Sequence, residues 1–377
     1  MSAERIKAAR QLLGLSQGEL AGAAGLSQGL ISHLERGNRG ATEATLRSIA
    51  RGTGLPWAFF TKRPTAPGVD SLRFRKYRTV SPRDTARAQR TFIELFDVAH
   101  DLMAWARQPT SELPPRPEGN ELGDDVIENV AVQVRVALGL DVAEPVRHLT
   151  RTLERNAVPV APIVFTDLSK DEVDEVAAVG HFGLSGRLEA DGRAVIAYFP
   201  SSGDRQRFTL AHELGHVVLH GNQPPGLAAE QEADRFAGAL LFPGPAALEL
   251  LNECSTLRDF AGLKAQWGVS IQALIMRAHH LGVIDDSRRT SLFKQISARG
   301  WRHNEPVVVR NEEPALLGTL VQRRFKGEAG VYRRAANDLG LPAIQLRSMM
   351  PPPQARSLSG SARQATIREL PNARSGP

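Results

Sequence analysis

The chain has almost no cysteine, since Cys254 is the single one among 377 residues. An intramolecular disulfide is therefore excluded, and the composition fits a reducing cytoplasm. Aromatic residues make up only 6%, and no apolar run is long enough to cross a bilayer. The first residues follow an amphipathic pattern instead of a charged and then apolar leader, so we expect no export signal. The expected protein is soluble and cytoplasmic.

The length allows two or three domains, and the hydrophobic fraction of 42% is that of a globular protein. The net charge of +6 favours a polyanionic partner without identifying one. Nine basic residues cluster after the first 61 positions: Lys62, Arg63, Arg73, Arg75, Lys76, Arg78, Arg83, Arg87 and Arg90. These side chains could follow a DNA backbone or could form a solvated helix face, and the sequence leaves both open.

The most specific motif runs from His212 to His216 and reads HELGH. On a helix the two histidines, four residues apart, share one face and can bind the same Zn²⁺ ion. Glu213 adjoins the first histidine, where it can take a proton from the water that the metal activates. Apolar residues on both sides of the motif are typical of a buried helix. The alternative is a chance match on a surface helix.

A catalytic zinc ion needs a third protein ligand and one open position. The segment from Glu230 to Leu241 has the apolar spacing of a second helix, with Pro243 as its stop signal. Glu230 is the favoured third ligand, because Asp234 lies one turn further and can orient a ligating imidazole. Glu232 lies about 200° from Glu230 around the helix, so only one of the two is expected to face the metal. Glu232 remains the alternative ligand.

The pairing of RFTLAHELGHVVLH with EQEADRFAGALLFP resembles the ImmA/IrrE family of zinc metallo-endopeptidases. The resemblance covers about Asp125 to Asp285, and Phe242 departs from the methionine more usual at that position. It implies a zinc site on His212, His216 and Glu230, with Glu213 in the catalytic role. By the same resemblance the substrate would be a repressor protein, and self-cleavage is also possible.

A second motif lies near the start of the chain, where Ser16 and Glu19 form a capping box and Gly25 supplies a tight turn. Two short helices with this spacing indicate a helix-turn-helix. The run LSQGELAGAAGLSQGLISHLERGNRG looks like the DNA-binding domain of the XRE/Cro repressors, over about Met1 to Thr61. In that family the second helix enters the major groove, so Ser27, Gln28, Ser32 and His33 are candidates for contact with base edges, and Gln17 at the start of the first helix would lie near the phosphates.

Gln28 is the best candidate for reading a base, because its amide can donate to and accept from adenine at once. Such domains usually read two half-sites, so a homodimer is plausible. The alternative is that this small helical domain binds a protein instead of double-stranded DNA.

The remaining segments complete the expected architecture. A long helix begins after Ser81, and its apolar stripe could pack on the peptidase domain or on a second copy: Phe92, Leu95, Phe96, Ala99, Leu102 and Met103. Strands are expected at Val158–Phe165, Gly180–Leu188 and Arg193–Phe199. The last of these could hold a substrate backbone, and Tyr198, His181 and His220 could serve as oxyanion donors. Residues 307–349 should be helical, and the tail after Met350 should be disordered.

We therefore expect a multi-domain fold: an all-α helix-turn-helix domain, an α+β zincin-like metallopeptidase domain and a mostly helical C-terminal region. The expected boundaries are 1–62 for the first domain, 63–120 for a linker and long helix, 121–305 for the peptidase domain, 306–350 for the helical region and 351–377 for the tail. The predicted function is a DNA-binding regulator with Zn²⁺-dependent endopeptidase activity. The alternative is a transcription factor whose peptidase fold acts as a sensor or dimerisation platform without turnover.

Overall fold

The computed structural model describes residues 2–63, 81–119, 121–168, 172–174, 183–188, 191–221, 226–326 and 330–353. The predicted disordered tail after Met350 lies outside these residues except for its first three positions. Within the described residues, the α-helices are α1 (Ser2–Leu12), α2 (Gln17–Ala24), α3 (Gln28–Glu35), α4 (Glu43–Thr53), α5 (Trp57–Thr61), α6 (Pro82–Trp105), α7 (Asp124–Ala137), α8 (Leu149–Arg155), α9 (Gly203–Gly215), α10 (Leu227–Leu241), α11 (Gly244–Asn252), α12 (Leu257–Trp267), α13 (Ile271–His280), α14 (Asp286–Ala298), α15 (Leu316–Phe325), α16 (Val331–Leu339) and α17 (Ala343–Met349).

Helices α1 to α5 form the helix-turn-helix domain. Ser16 and Glu19 make both hydrogen bonds of the predicted capping box, and Gly25 ends α2 in the left-handed conformation that glycine adopts without strain. The side chain of Ser27 then caps α3. Glu35 of α3 forms an ion pair with Arg10 of α1 and accepts a hydrogen bond from Gln17 of α2. This mostly buried carboxylate therefore fixes the angle between the three helices.

The strands form two small sheets. β1 (Val160–Pro162), β5 (Ala194–Tyr198) and β4 (Gly183–Arg187) make a three-stranded sheet, in which β5 lies in the centre, parallel to β1 and antiparallel to β4. β2 (Phe165–Asp167) and β3 (Glu172–Asp174) pair as a separate antiparallel ribbon. The predicted α+β character of this region is confirmed.

The three-stranded sheet separates two hydrophobic cores. Alternating side chains of β5 face opposite sides, so that Ile196 packs among the helices that follow the sheet while Val195 and Ala197 pack towards α6. The second side also contains the apolar residues of the helix-turn-helix domain and of helices α15 to α17. The helix-turn-helix domain and the face of the sheet that carries Val195 and Ala197 thus share one continuous core.

The long helix α6 joins these parts. Its stripe, including Phe92, Phe96 and Leu102, is fully buried against α1, α15 and the strands β4 and β5. The apolar stripe was expected to pack on the peptidase domain or on a second copy of the chain, and the structure shows packing within the same chain. The buried Glu94 of α6 pairs with Arg5 of α1 and with Arg90 of α6 itself. The helix-turn-helix domain is held to α6 by ionic as well as apolar contacts.

Four residues of the basic cluster after residue 61 form contacts within the chain. In the described part of the chain, Lys62 pairs with Asp101 and Arg83 with Glu19. Arg87 donates to the carbonyl of Thr166, and Arg90 pairs with Glu94. The side chain of Arg83 is 54% exposed in its ion pair, so the DNA contact and the solvated helix face both stay predictions for this cluster. Arg73, Arg75, Lys76 and Arg78 lie outside the described residues.

The predicted helical character of the C-terminal region is confirmed by α15, α16 and α17, which begin at Leu316, whereas residues 307–315 are not helical. No helix in the described ranges combines the length and apolarity needed to span a bilayer.

Candidate metal centre

Two neighbouring helices build a group of possible metal ligands. Helix α9 carries His212 and ends at Gly215, where a π-helical turn from His216 to His220 begins. Leu210, Ala211 and Leu214 of α9 are completely buried, which leaves the histidine face turned towards α10. Glu230 lies in the first turn of α10. The apolar residues whose spacing predicts these helices are thus the residues that are buried in the structure.

His212, His216 and Glu230 form a triangle of donor atoms. The two Nε2 atoms lie 3.0 Å apart, and carboxylate oxygens of Glu230 lie 3.5 Å from His212 Nε2 and 3.4 Å from His216 Nε2. Ligands at the usual zinc bond lengths in a tetrahedron would lie about 3.3 Å from each other. The described residues contain one such group with three or more potential ligands, and this is the group. Two imidazoles and one carboxylate fit a divalent metal ion.

Asp234 contacts the first histidine. Its Oδ1 lies 2.8 Å from His212 Nδ1, so Nε2 of the same ring is left facing the triangle. Burial disfavours charge on His212, but the hydrogen bonds with Asp234 and Glu230 outweigh it and raise its pKa to about 10. Burial alone would raise the pKa of Glu230, yet the two histidines hold that pKa well below its usual range. The cluster therefore favours positive charge at its centre.

Glu232 is turned away from the triangle. Its Oε2 lies 2.9 Å from His220 Nε2, and its Oε1 accepts a hydrogen bond of 2.9 Å from the backbone N–H of Leu122. The Nδ1 atom of His220 lies 3.0 Å from His216 Nδ1. Burial lowers the pKa of His220, which favours the neutral ring. The spacing of four residues places His220 on the face of His216, but nothing in the sequence connects His220 with Glu232.

Glu213 lies beside the edge of the sheet. The hydroxyl of Ser185 in β4 donates a hydrogen bond of 2.6 Å to Glu213 Oε2, and Glu213 is only 4% exposed. A Cβ atom on Gly183 would lie 2.6 Å from Glu213 Cγ and 2.7 Å from its Oε1. Real Cβ atoms do not approach so closely, so glycine at this position leaves the space that the carboxylate occupies.

The segment that contains Glu305 and Glu312, after α14, stabilises the start of α9. Glu312 forms a buried ion pair with Arg207, and its backbone exchanges two hydrogen bonds with the side chain of Gln206. Lys264 pairs with both Asp204 and Glu305. These contacts hold the first turns of α9, and through them the orientation of the histidines further along the helix.

The strand expected to hold a substrate is not available for it. β5, within the predicted Arg193–Phe199, is the central strand, and its two edges are already hydrogen-bonded to β1 and β4. Among the described strands β4 lies at the edge of this sheet, and it carries the Ser185 that contacts Glu213. The sequence could not show this central position of β5, because strand order depends on long-range packing, which local patterns do not report.

Two of the three oxyanion candidates lie in the described residues, and both are engaged by neighbouring side chains. Tyr198 is buried and directed to Gln206 at the start of α9, and burial together with nearby carboxylates raises its pKa. His220 is engaged by His216 and Glu232. His181 lies outside the described residues.

The candidate DNA contacts lie on α3 and at the start of α2. Ser27, Gln28 and His33 are exposed, as a recognition surface requires, while Ser32 is half-buried and accepts a hydrogen bond from Arg36. Gln17 is engaged internally, because its amide donates to Glu35. Of the five residues, Gln17 is therefore the one with least freedom to reach DNA.

Comparison with known families gives two matches, in the order predicted from the sequence. Residues 6–60 match the helix-turn-helix family model, and residues 164–279 match the M78 peptidase model, described as an IrrE N-terminal-like domain. The second match contains both histidines, Glu213 and Glu230. No curated protein sequence matched the chain. The predicted resemblance to an XRE-type DNA-binding domain followed by an ImmA/IrrE-like domain is confirmed.

Proposed function

We propose that this chain, with a helix-turn-helix match followed by an M78 peptidase match, is a DNA-binding regulator that cleaves a repressor-type protein with a zinc-dependent site. The observation that carries the proposal is the triangle of His212, His216 and Glu230, whose donor atoms lie 3.0–3.5 Å apart. A zinc ion held there would supply Lewis-acid activation of a water molecule and of the scissile carbonyl.

The side chains around the triangle divide the remaining work. Ser185 holds Oε2 of the Glu213 carboxylate, and this carboxylate would accept a proton from the attacking water and return it to the leaving amine. Asp234 orients His212 through Nδ1. Ser185 of β4 contacts Glu213, and among the described strands β4 pairs with β5, so we assign to β4 the hydrogen bonds that would hold an extended substrate backbone.

The DNA-binding half of the proposal rests on α3. Its exposed Gln28, together with Ser27 and His33, would face base edges, and Ser32 would lie at the border of the contact. A pair of half-sites read by a homodimer is the arrangement that this type of domain favours.

The proposal is tested by incubating the purified chain with the repressor encoded beside it and measuring intact masses, with and without a chelator. We expect chelator-sensitive fragments. The Glu213→Gln variant should retain zinc but lose about 10²- to 10⁴-fold in cleavage rate, because the general base is removed while the ligands stay. Full activity in this variant would reject the role given to Glu213.

The same experiment separates the alternative function. A chain that binds zinc and DNA but cleaves neither itself nor the repressor would be a transcription factor whose peptidase fold serves as a sensor or a dimerisation platform. Replacement of Glu230 by Ala should lower the zinc content in either case. Unchanged metal stoichiometry in that variant would move the third ligand to another residue.

A further inference from the structure

We propose that His220 and Glu232 are positioning residues for His216, and that they fix the ring of this second ligand through a hydrogen-bonded relay. The proposal rests on the metal centre proposed above and gives a role to the third histidine of the HELGHVVLH run. The carrying observation is the juxtaposition of His216 Nδ1 with His220 Nδ1 at 3.0 Å and of His220 Nε2 with Glu232 Oε2 at 2.9 Å.

The donors and acceptors of the relay match in one direction only. His216 faces the triangle with Nε2, so its Nδ1 must carry the proton of the ligating tautomer. That N–H then donates to Nδ1 of His220, which must be unprotonated to accept it. The remaining proton of His220 is consequently on Nε2, from which it donates to Glu232. Each of the two contacts in the relay therefore joins one donor to one acceptor.

The far end of the relay is anchored in the backbone. Glu232 is 4% exposed, and its second oxygen accepts the N–H of Leu122, in the segment between α6 and α7. A buried carboxylate with two donors has little freedom to rotate, because leaving either donor unpaired costs free energy. The relay thus transmits a fixed orientation from the backbone at Leu122 to the ring of His216.

The two histidine ligands are supported differently. His212 donates directly to Asp234, whose side chain is 55% exposed, whereas His216 is supported by the buried pair of His220 and Glu232. The π-helical turn from His216 to His220 contains both members of the first contact. Such turns are rare and are frequent at functional sites.

Two substitutions at one position separate hydrogen bonding from packing. His220→Leu removes both polar atoms of the ring, while His220→Gln keeps a carbonyl oxygen to accept from His216 and an amide to donate to Glu232. Zinc affinity is measured for the full chain by competition with a chromophoric chelator. We expect the leucine variant to lose about 10- to 100-fold, as is usual for partners of ligating histidines, and the glutamine variant to recover most of the loss.

A second readout reports the geometry of the centre without activity. The visible absorption spectrum of the Co²⁺-loaded chain should shift in His220→Leu and resemble the wild type in His220→Gln. The matched control is Asp286→Ala, which removes the carboxylate that contacts His279, a histidine outside the group of possible metal ligands. This control should leave both zinc affinity and the Co²⁺ spectrum unchanged.

The outcomes are distinct for the relay and for the metal centre. A wild-type chain without zinc affinity would overturn the metal centre itself. A wild-type chain that binds zinc, with His220→Leu equal to it in affinity and spectrum, would overturn the relay alone. Equal losses in the leucine and glutamine variants would also overturn it, since packing would then be the cause.

A folding failure of His220→Leu does not block the test. The substitution leaves the buried carboxylate of Glu232 without one donor, so circular dichroism and DNA binding are measured for each variant. Where the single variant fails to fold, the double variant His220→Leu/Glu232→Gln removes the unpaired charge and keeps an acceptor for Leu122. The same affinity and spectral criteria then decide.

Discussion

Zinc binding to this chain should depend steeply on pH, because a metal ion and a proton compete for His212. The hydrogen bonds with Asp234 and Glu230 outweigh burial and raise the pKa of this metal-free imidazole to about 10. At pH 7, three units below this pKa, zinc must displace the proton of His212, which lowers the apparent zinc affinity about 10³-fold relative to the affinity of the deprotonated site. At pH 8 the reduction is about 10²-fold. Affinity should therefore rise about tenfold for each pH unit.

The assay is a chelator competition at several pH values between about 6.5 and 8.5, combined with calorimetry in buffers of different ionisation enthalpy. We expect one proton to leave His212 for each zinc ion bound. Asp234→Asn should flatten the dependence, since it removes the carboxylate that contacts His212 Nδ1. An affinity that is constant over this range, without proton release, would refute the reasoning.

Three further predictions concern Glu213, the DNA surface and the start of α9. Gly183→Ala should abolish most cleavage but retain zinc, because the new Cβ would lie 2.6 Å from Glu213 Cγ. The control Gly262→Ala should be neutral, because its Cβ meets nothing within 4 Å. Equal peptidase rates in the two variants would contradict this prediction. Gln28→Ala should weaken binding to an operator selected from random DNA by about 1–3 kcal/mol in fluorescence anisotropy, and an unchanged affinity would remove Gln28 from the base contacts. Glu312→Gln should lower the free energy of unfolding by about 3–5 kcal/mol in urea titrations, because buried Arg207 loses its ion pair; a loss below about 1 kcal/mol would show that the pair contributes little.

The elements around the metal centre could be predicted because their signals are local. The spacing of His212 and His216 requires a helix, Pro243 ends the next helix, and the carboxylate at Asp234 was recognised from its distance of four residues to Glu230. The helix-turn-helix was equally readable, since Ser16, Glu19 and Gly25 specify caps and a turn within ten residues. In each case the cause lies within a few residues of its effect.

Other features depend on which distant segments meet. Strand order made β5 central and β4 the edge, and no alternation within a single strand reports its neighbours. Glu232 could be placed on the far side of α10, but its contacts with His220 and with Leu122 join three separate segments. The basic residues after position 61 look like a nucleic-acid surface in sequence, and only the fold shows Lys62 paired with Asp101.

Domain boundaries also illustrate this limit. The domain boundary predicted at residue 305 stays a prediction. Glu305 and Glu312 lie on either side of this boundary, and both form ion pairs with helices of the peptidase region. The helix-turn-helix domain ends at a linker in sequence, yet its core continues into α6. Composition marks where the chain changes character, and burial decides which parts fold together.

The most direct test is an anomalous difference map from crystals of the zinc-loaded chain, collected on both sides of the zinc absorption edge. We predict one peak for each chain, about 2.0–2.2 Å from Nε2 of His212, Nε2 of His216 and a carboxylate oxygen of Glu230. A map with no peak there, or with its peak on His220 and Glu232, would contradict the account.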